Sequence, residues 1–256
     1  MKQFSWKNKF YILLSYIVFI VIWEIIATKI NNEIYLPKVH EIAKSIAGII
    51  TERDFFKIIL STFYRTILSY GIALSMAVIL GVLSSTCPLF YYLFNPINSF
   101  FKTIPTLVLI VLALVWFDKD KAPYIVGFAI VLPILYEGIR NSFNEIDKNI
   151  IEMTKIYEVG FKDKLLKIYL QKMKFYLMSI FVSTFSLAFK VVIAGEVHGQ
   201  PKYGMGSQIQ IEKVNFNTSG IFAWIIIIVL ISLIFEIINL LLRKRVYRWK
   251  NSEDIY

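Results

Sequence analysis

Residues 221–242 read IFAWIIIIVLISLIFEIINLLL and contain one charged residue, Glu236. The hydrocarbon core of a bilayer is about 30 Å thick, and roughly 20 apolar residues in an α-helix cross it. This stretch therefore predicts a transmembrane helix. Further apolar runs predict five more such helices, at residues 10–30, 59–84, 94–117, 123–140 and 175–195. We expect an all-α membrane protein with six transmembrane helices.

The composition of the chain agrees with this fold class. Of its 256 residues, 57% are hydrophobic, whereas a soluble domain typically has about 45–50%. The predicted organisation is an N-terminal transmembrane helix, an amphipathic helix outside the membrane, a transmembrane core with one long polar loop, and a tail. These parts are residues 1–32, residues 33–57, residues 58–243 with the loop 141–174, and residues 244–256.

The positive charge is distributed unevenly between the segments that join the spans. The chain carries a net charge of +10 at pH 7. If the N-terminus is cytoplasmic, the cytoplasmic segments hold 16 Lys and Arg residues and the opposite segments hold nine. The positive-inside rule then predicts that both termini are cytoplasmic. A basic surface beside anionic lipid explains the excess, so we expect membrane lipid as a partner and no nucleic acid.

Several charged residues and prolines lie at or near membrane depth. Pro96 and Pro105 bracket Lys102, and a proline inside the membrane is tolerated where protein or a watery cavity surrounds the helix. Ionisable residues in spans usually face the bundle interior or an aqueous cavity. The candidate residues of a translocation pathway are Lys102, Pro105, Glu137, Lys190 and Glu196.

Alternative roles apply to some of the charges at membrane depth. Lys102 also suits a cation at a helix end. Lys190 and Glu196 are six positions apart, which turns a helix by about 600°, so we expect them on different faces. Glu24 and Glu236 lie near span ends, where we expect an interfacial position with the carboxylate in water.

A polar stretch separates the fourth and fifth predicted spans. Residues 140–174 read RNSFNEIDKNIIEMTKIYEVGFKDKLLKIYLQKMK and hold eight of the chain's 28 Lys and Arg residues. Apolar residues recur at helical spacing before and after Gly160, which predicts two short amphipathic helices. Helices of this kind lie on anionic lipid or bind a cytoplasmic partner. Acidic residues interrupt the lysines, and this favours a partner.

The chain shows no signature of an enzyme. It contains no Gly-Lys dipeptide and therefore no Walker A sequence. It also lacks the HExxH and GxSxG patterns, and the single Cys87 excludes an internal disulfide. We expect no metal site and no cofactor bound by this chain. If ATP drives its function, the ATPase is a separate subunit.

At the loop residues the chain resembles the permease subunits of bacterial ABC importers, the binding-protein-dependent inner-membrane component family. In that family a cytoplasmic loop carries Glu-Ala-Ala, three residues, Gly, and a Leu-Pro about twelve residues further on. Here Glu152-Met153-Thr154 takes the first place and Leu170-Gln171 the last. Glu158 stands where the family has Gly, and Gly160 follows two places later.

Other segments are similar to the nitrate, sulfonate and taurine group of that family. The similarity runs in order, with few length changes, over residues 35–249. The segments are Tyr35-Leu36-Pro37, the run from Lys102 to Pro105 with the apolar stretch to Phe117, the run from Phe189 to Val197, Gly204-Met205-Gly206, and Arg243-Lys244-Arg245.

The resemblance implies a type I importer fold in the bacterial cell membrane, with residues 58–243 as the permease core. It implies three partners: a cytoplasmic ABC ATPase dimer, an extracytoplasmic solute-binding protein and a second permease chain. A homodimer is expected, with a heterodimer as the alternative. The segment 152–160 would be the coupling helix. The implied ATPase-docking residues are Glu152, Met153, Thr154, Ile156, Tyr157, Gly160 and Phe161.

The implied function is the translocation pathway of an ATP-driven importer. Its solute would be small, of the sulfonate, nitrate or vitamin-precursor class, and ATP would be used by the partner subunit. The alternative is a self-contained channel or an ion-coupled secondary transporter that uses the charges at membrane depth. A membrane anchor without transport is disfavoured, because it has no need of a broken helix or of charges inside the bilayer.

Overall fold

The structure is a computed structural model that describes the backbone of residues 6–246 and the side chains of residues 10–237. The first residues of the chain and most of the predicted tail, residues 244–256, lie outside this part. The described residues form these helices: α1 (Trp6–Ile30), α2 (Val39–Thr51), α3 (Phe55–Thr86), α4 (Pro88–Thr103), α5 (Thr106–Trp116), α6 (Ala122–Asn144), α7 (Lys148–Ile156), α8 (Phe161–Lys164), α9 (Leu170–Gly199), α10 (Met205–Val214) and α11 (Thr218–Val246).

The predicted all-α membrane fold is confirmed. Five helices are long and apolar enough to cross a membrane, and the number is six if the bent pair α4 and α5 counts as one span. The predicted span 94–117 is therefore not one straight helix, because its two parts meet at an angle of 103°. Pro105 lacks a backbone donor, and Ile104 before it is extended, with ψ 126°.

The helix α3 packs inside the bundle through its small residues. Ala73 and Ala77 are fully buried against α6 and α9. A Cβ added to Gly81 would lie 2.8 Å from the Ile139 side chain, so glycine allows α3 and α6 to approach closely. Small residues at such contacts are typical of transmembrane helix packing.

The helix α2 is joined to α1 by two hydrogen bonds. The Glu24 carboxylate accepts from the backbone N–H of Val39 at 2.9 Å, and the Trp23 indole donates to the Pro37 carbonyl at 3.0 Å. Glu24 is therefore not simply a carboxylate that extends into water, as the sequence suggested. The first backbone N–H groups of a helix lack acceptors within the helix itself, and the Glu24 carboxylate accepts from one of them at the start of α2.

The polar loop contains one separate helix rather than two. α7 is separate, but α8 continues through a π-helical turn, residues Leu165–Tyr169, into α9. Residues Phe161–Gly199 thus form one long helical segment. The prediction of two short helices is wrong for the second, because no turn-forming residue separates α8 from the apolar run after it.

The connections gather at two ends of the bundle. The loops after α1, α5 and α9 lie at one end together with α2 and α10, where Thr218 donates to the Ile34 carbonyl at 2.6 Å. This is the α10 end. The turn between α3 and α4 and the loop that holds α7 lie at the other end, which is the α7 end.

Candidate functional sites

At the α7 end, apolar side chains of α7, α8 and the turn between them are exposed. Ile156 is 78% exposed, Tyr157 74% and Phe161 77%. Met153 is half exposed. We refer to these four residues as the α7–α8 patch. A cluster of exposed apolar side chains on an otherwise polar loop marks an interaction surface.

The residues predicted for docking do not all lie on this patch. Glu152 is exposed beside it, but Thr154 is 2% exposed and donates to the Ile151 carbonyl at 2.7 Å. Thr154 therefore faces the body of the protein and cannot contact a partner in this conformation. Its hydroxyl satisfies a carbonyl inside α7, which allows a polar side chain to be buried.

The turn between α7 and α8 requires a special backbone conformation at Glu158. Its φ is +49°, in the left-handed region that favours glycine. This is the position at which the family has Gly. Gly160 has φ −63°, and a Cβ added there would meet nothing within 4 Å. Sterics and backbone conformation therefore do not require a glycine at position 160, and its role in docking stays a prediction.

Lys102 and Glu137, both predicted pathway residues, form an ion pair between the end of α4 and α6. The side chains of the pair are 43% and 45% exposed. Pro105, which is exposed, lies at the bend three residues after Lys102. The structure thus brings three of the five predicted pathway residues to one place.

Glu196 is a different case, because the structure buries it completely near the α10 end. Its carboxylate accepts from the Arg65 guanidinium at 2.7 Å, the Thr62 hydroxyl at 2.9 Å and the Gly206 backbone N–H at 3.1 Å. Arg65 also donates to the Tyr203 carbonyl at 2.6 Å. Glu196 is therefore not exposed to a pathway in this structure. It joins α3, α9 and the start of α10.

Two glycines allow this cluster to form. A Cβ added to Gly204 would lie 2.7 Å from the Glu196 carboxyl carbon. A Cβ added to Gly206 would lie 2.7 Å from the Glu196 Cβ and 2.8 Å from the backbone nitrogen of Val197. The segment of residues 203–206 is thus packed closely against Glu196 and the backbone of α9.

Sequence reasoning missed the partners of Glu196. Arg65 lies within the predicted span 59–84, but nothing in the sequence joins it to a residue 131 positions away. Thr62 gave no signal, because a single threonine in an apolar run matches no functional pattern. A buried carboxylate needs a counter-ion, but the sequence does not show that Glu196 is buried.

Lys190 lies away from Glu196, as the six-residue spacing predicted. It is exposed, on a groove of about 560 Å³ between α9 and α11. The lining is mixed. Its polar residues are Ser179, Ser183, Ser186 and Lys190 of α9 and Ser232 and Glu236 of α11, and its apolar residues are Val182, Ile228, Val229 and Leu233. Among the side chains described, those of residues 10–237, no group of three or more His, Cys, Asp and Glu residues could hold a metal ion.

Comparison with known sequences decides the family. The sequence profile of the binding-protein-dependent transport system inner membrane component matches residues 73–248. The chain belongs to this family. The permease is therefore a multi-pass inner-membrane protein of the transport class, and the family is not one of enzymes.

Two relatives resemble the permease over most of its length. The "Putative aliphatic sulfonates transport permease protein SsuC" of Bacillus subtilis (strain 168) is 23% identical over 99% of the permease and 91% of the relative. A "Putative ABC transporter permease protein" of Methanocaldococcus jannaschii is 23% identical over 85% of the permease and 83% of the relative. The resemblance found from the motifs is confirmed.

Proposed function

We propose that this chain is the membrane-spanning permease subunit of an ATP-driven importer. A separate ABC ATPase hydrolyses ATP, and the permease itself binds no nucleotide. The α7–α8 patch is the docking surface, and Glu152 at its margin is a polar anchor. With six spans both termini lie on one side of the membrane, and the distribution of basic residues favours the cytoplasm.

The observation that carries this proposal is the exposure of Ile156, Tyr157 and Phe161. These side chains are more than 70% exposed on a loop between two spans, and burial of each is worth about 1.5–3 kcal/mol. Lipid insertion competes poorly as their role, because Glu152 and Glu158 lie among them. A groove on a soluble partner accommodates apolar and acidic residues together.

The remaining partners follow from the same assignment. A solute-binding protein delivers the solute to the α10 end, and a second copy of the permease completes the pathway. The solute is a small anion of the sulfonate type, a choice supported by the name of one relative. ATP biases the permease only through contacts that differ between its inward-open and outward-open states, and the α7–α8 patch supplies those contacts.

Retention of an ATPase tests the docking surface. The tagged permease is co-expressed with candidate ABC ATPases of its source organism and purified in detergent. We expect one ATPase to stay bound and to hydrolyse ATP, and Ile156→Asp combined with Phe161→Asp to release it. Phe216→Asp is the matched control, because Phe216 is 72% exposed at the α10 end and has φ +55°, which Asp tolerates.

Liposome flux separates this function from its alternative. The permease alone should show no sulfonate uptake, and uptake should require the ATPase, ATP and the binding protein. Flux through the purified permease alone would instead identify a channel or an ion-coupled carrier. An ATPase that stays bound to the doubly substituted chain as firmly as to the wild type would overturn the docking assignment.

A further inference from the structure

The groove between α9 and α11 carries a continuous polar line on α9. Ser179, Ser183, Ser186 and Lys190 follow one another at steps of four, three and four residues. Residues at these steps share one face of a helix, and all four line the groove. The line covers more than three helical turns of a segment that is apolar enough to span a membrane.

Two side-chain donors in the groove have no acceptor in the described part of the chain. Ser179 and Ser183 each donate to a backbone carbonyl three residues earlier in α9, at 2.7 and 2.8 Å. Among the side chains described, Ser186 makes no hydrogen bond and Lys190 forms no ion pair. These two free donors are one helical turn apart.

Such a face is unsuited to lipid. A lysine inside a span without a counter-ion is costly in hydrocarbon and is usually found beside water or an opposite charge. Glu236 lines the same groove but forms no ion pair with Lys190. A bound anion would supply the missing charge to Lys190 and an acceptor to Ser186.

We propose that the α9–α11 groove is hydrated and binds a small anionic solute through Lys190 and Ser186. The other serines of the line provide hydroxyl groups along the route of the solute towards the α7 end. This proposal rests on the proposed function, since it places the solute of the importer on particular residues. It adds a binding site and a charge preference that the family membership does not provide.

Thiol labelling tests the groove without any partner subunit. Cys87 is the single cysteine, so a Cys87→Ser chain gives a background in which Ser183→Cys and Ser186→Cys are read separately. Membranes containing each variant are treated with an anionic and a cationic methanethiosulfonate, and the labelling rates are compared. Leu230→Cys is the control, because Leu230 is exposed on α11 but does not line the groove.

We expect both serine positions to react at least tenfold faster than Leu230→Cys. At Ser186→Cys, adding Lys190→Gln should lower the ratio of the anionic to the cationic rate at least fivefold, and Lys190→Arg should restore it. Glu236→Gln should change that ratio less than Lys190→Gln does. Elution of all variants at the wild-type volume in gel filtration confirms that they are folded.

Two results would overturn the proposal. Labelling of Ser186→Cys as slow as that of Leu230→Cys would show that lipid or protein covers the groove. If Lys190→Gln left the ratio of the anionic to the cationic rate unchanged, or if Glu236→Gln changed it more strongly, the groove would not bind an anion through Lys190. Neither result depends on an ATPase, so failure here is distinct from failure of the docking assignment.

Discussion

Arg65 of α3 and Glu196 of α9 meet at 2.7 Å, and the Glu196 side chain is fully buried. Around this ion pair, Thr62 donates to Glu196 at 2.9 Å and accepts from the Met205 backbone N–H at 2.9 Å. The pair also approaches Asp120, whose carboxylate lies 3.9 Å from the Arg65 guanidinium. One buried cluster thus fixes α3, α9 and α10 relative to each other and lies beside the loop before α6.

Removal of the Glu196 charge should destabilise the permease strongly. Breaking a buried ion pair typically costs about 3–5 kcal/mol, because the remaining charge is left without compensation. We expect Glu196→Gln to lower the melting temperature in detergent by several degrees. Glu137→Gln is the control, since the half-exposed pair with Lys102 should contribute only about 0–1 kcal/mol. Equal melting temperatures for the two variants would contradict this assignment.

Addition of one methyl group at Gly206 should disturb the same cluster. A Cβ there would press against the backbone of α9 at Val197 and the Glu196 side chain, and backbone atoms cannot move aside cheaply. We expect Gly206→Ala to lower the melting temperature and the yield of folded permease. Gly48→Ala is the matched control, because nothing lies within 4 Å of its added Cβ in α2. That variant should gain about 0.5–1 kcal/mol from better helix propensity.

The turn after α7 should improve with a glycine at position 158. Glu158 has φ +49°, and a left-handed backbone costs a residue with a Cβ about 1–2 kcal/mol. We expect Glu158→Gly to raise the melting temperature by about 2 °C. Glu158→Val should lower it, because a β-branched side chain fits this region poorly. A drop in melting temperature with Glu158→Gly would show that the Glu158 side chain contributes more than the strain costs.

Gly160 offers the complementary measurement. Its backbone is extended and its surroundings are open, so Gly160→Ala should leave ATPase retention and uptake within about twofold of wild type. Gly160→Trp tests whether the space is needed by a partner, since it would fill the surface next to Phe161. Loss of uptake in Gly160→Ala together with normal uptake in Gly160→Trp would contradict the finding that the space around Gly160 is open.

Exchange of the charges of Lys102 and Glu137 should be tolerated better than either single reversal. The two side chains form an ion pair, so Lys102→Glu or Glu137→Lys alone places like charges side by side at the bend between α4 and α5. We expect uptake to fall at least tenfold in each single variant and to recover partly in the double variant. Absence of recovery would show that the individual charges matter more than their pairing.

The sequence predicted the spans well because a bilayer demands about 20 apolar residues in a row, and that demand is local. The bend at Ile104 was visible through Pro105, although its angle depends on how α5 packs against α6. The exposure of Ile156 and Phe161 was expected from their place in a polar loop. The burial of Thr154 was not expected, because the packing of α7 against the bundle decides which side of α7 faces inwards.

The Glu196 cluster was beyond a single sequence. Its members lie in three separate segments, and helical periodicity reports only which residues share a face of one helix. Glu196 and Lys190 looked equivalent as charges near the end of one span. Tertiary packing separates them, with Glu196 fully buried and Lys190 exposed on a groove.

The ion pair also sets an order for biogenesis. Arg65 is synthesised 131 residues before Glu196, which corresponds to roughly 7–26 s at about 5–20 residues per second. During that interval α3 has reached the translocon with an arginine that lacks its carboxylate. Release of α3 into lipid on its own would be unfavourable. Retention of the early helices beside the insertion machinery until α9 emerges would avoid this cost.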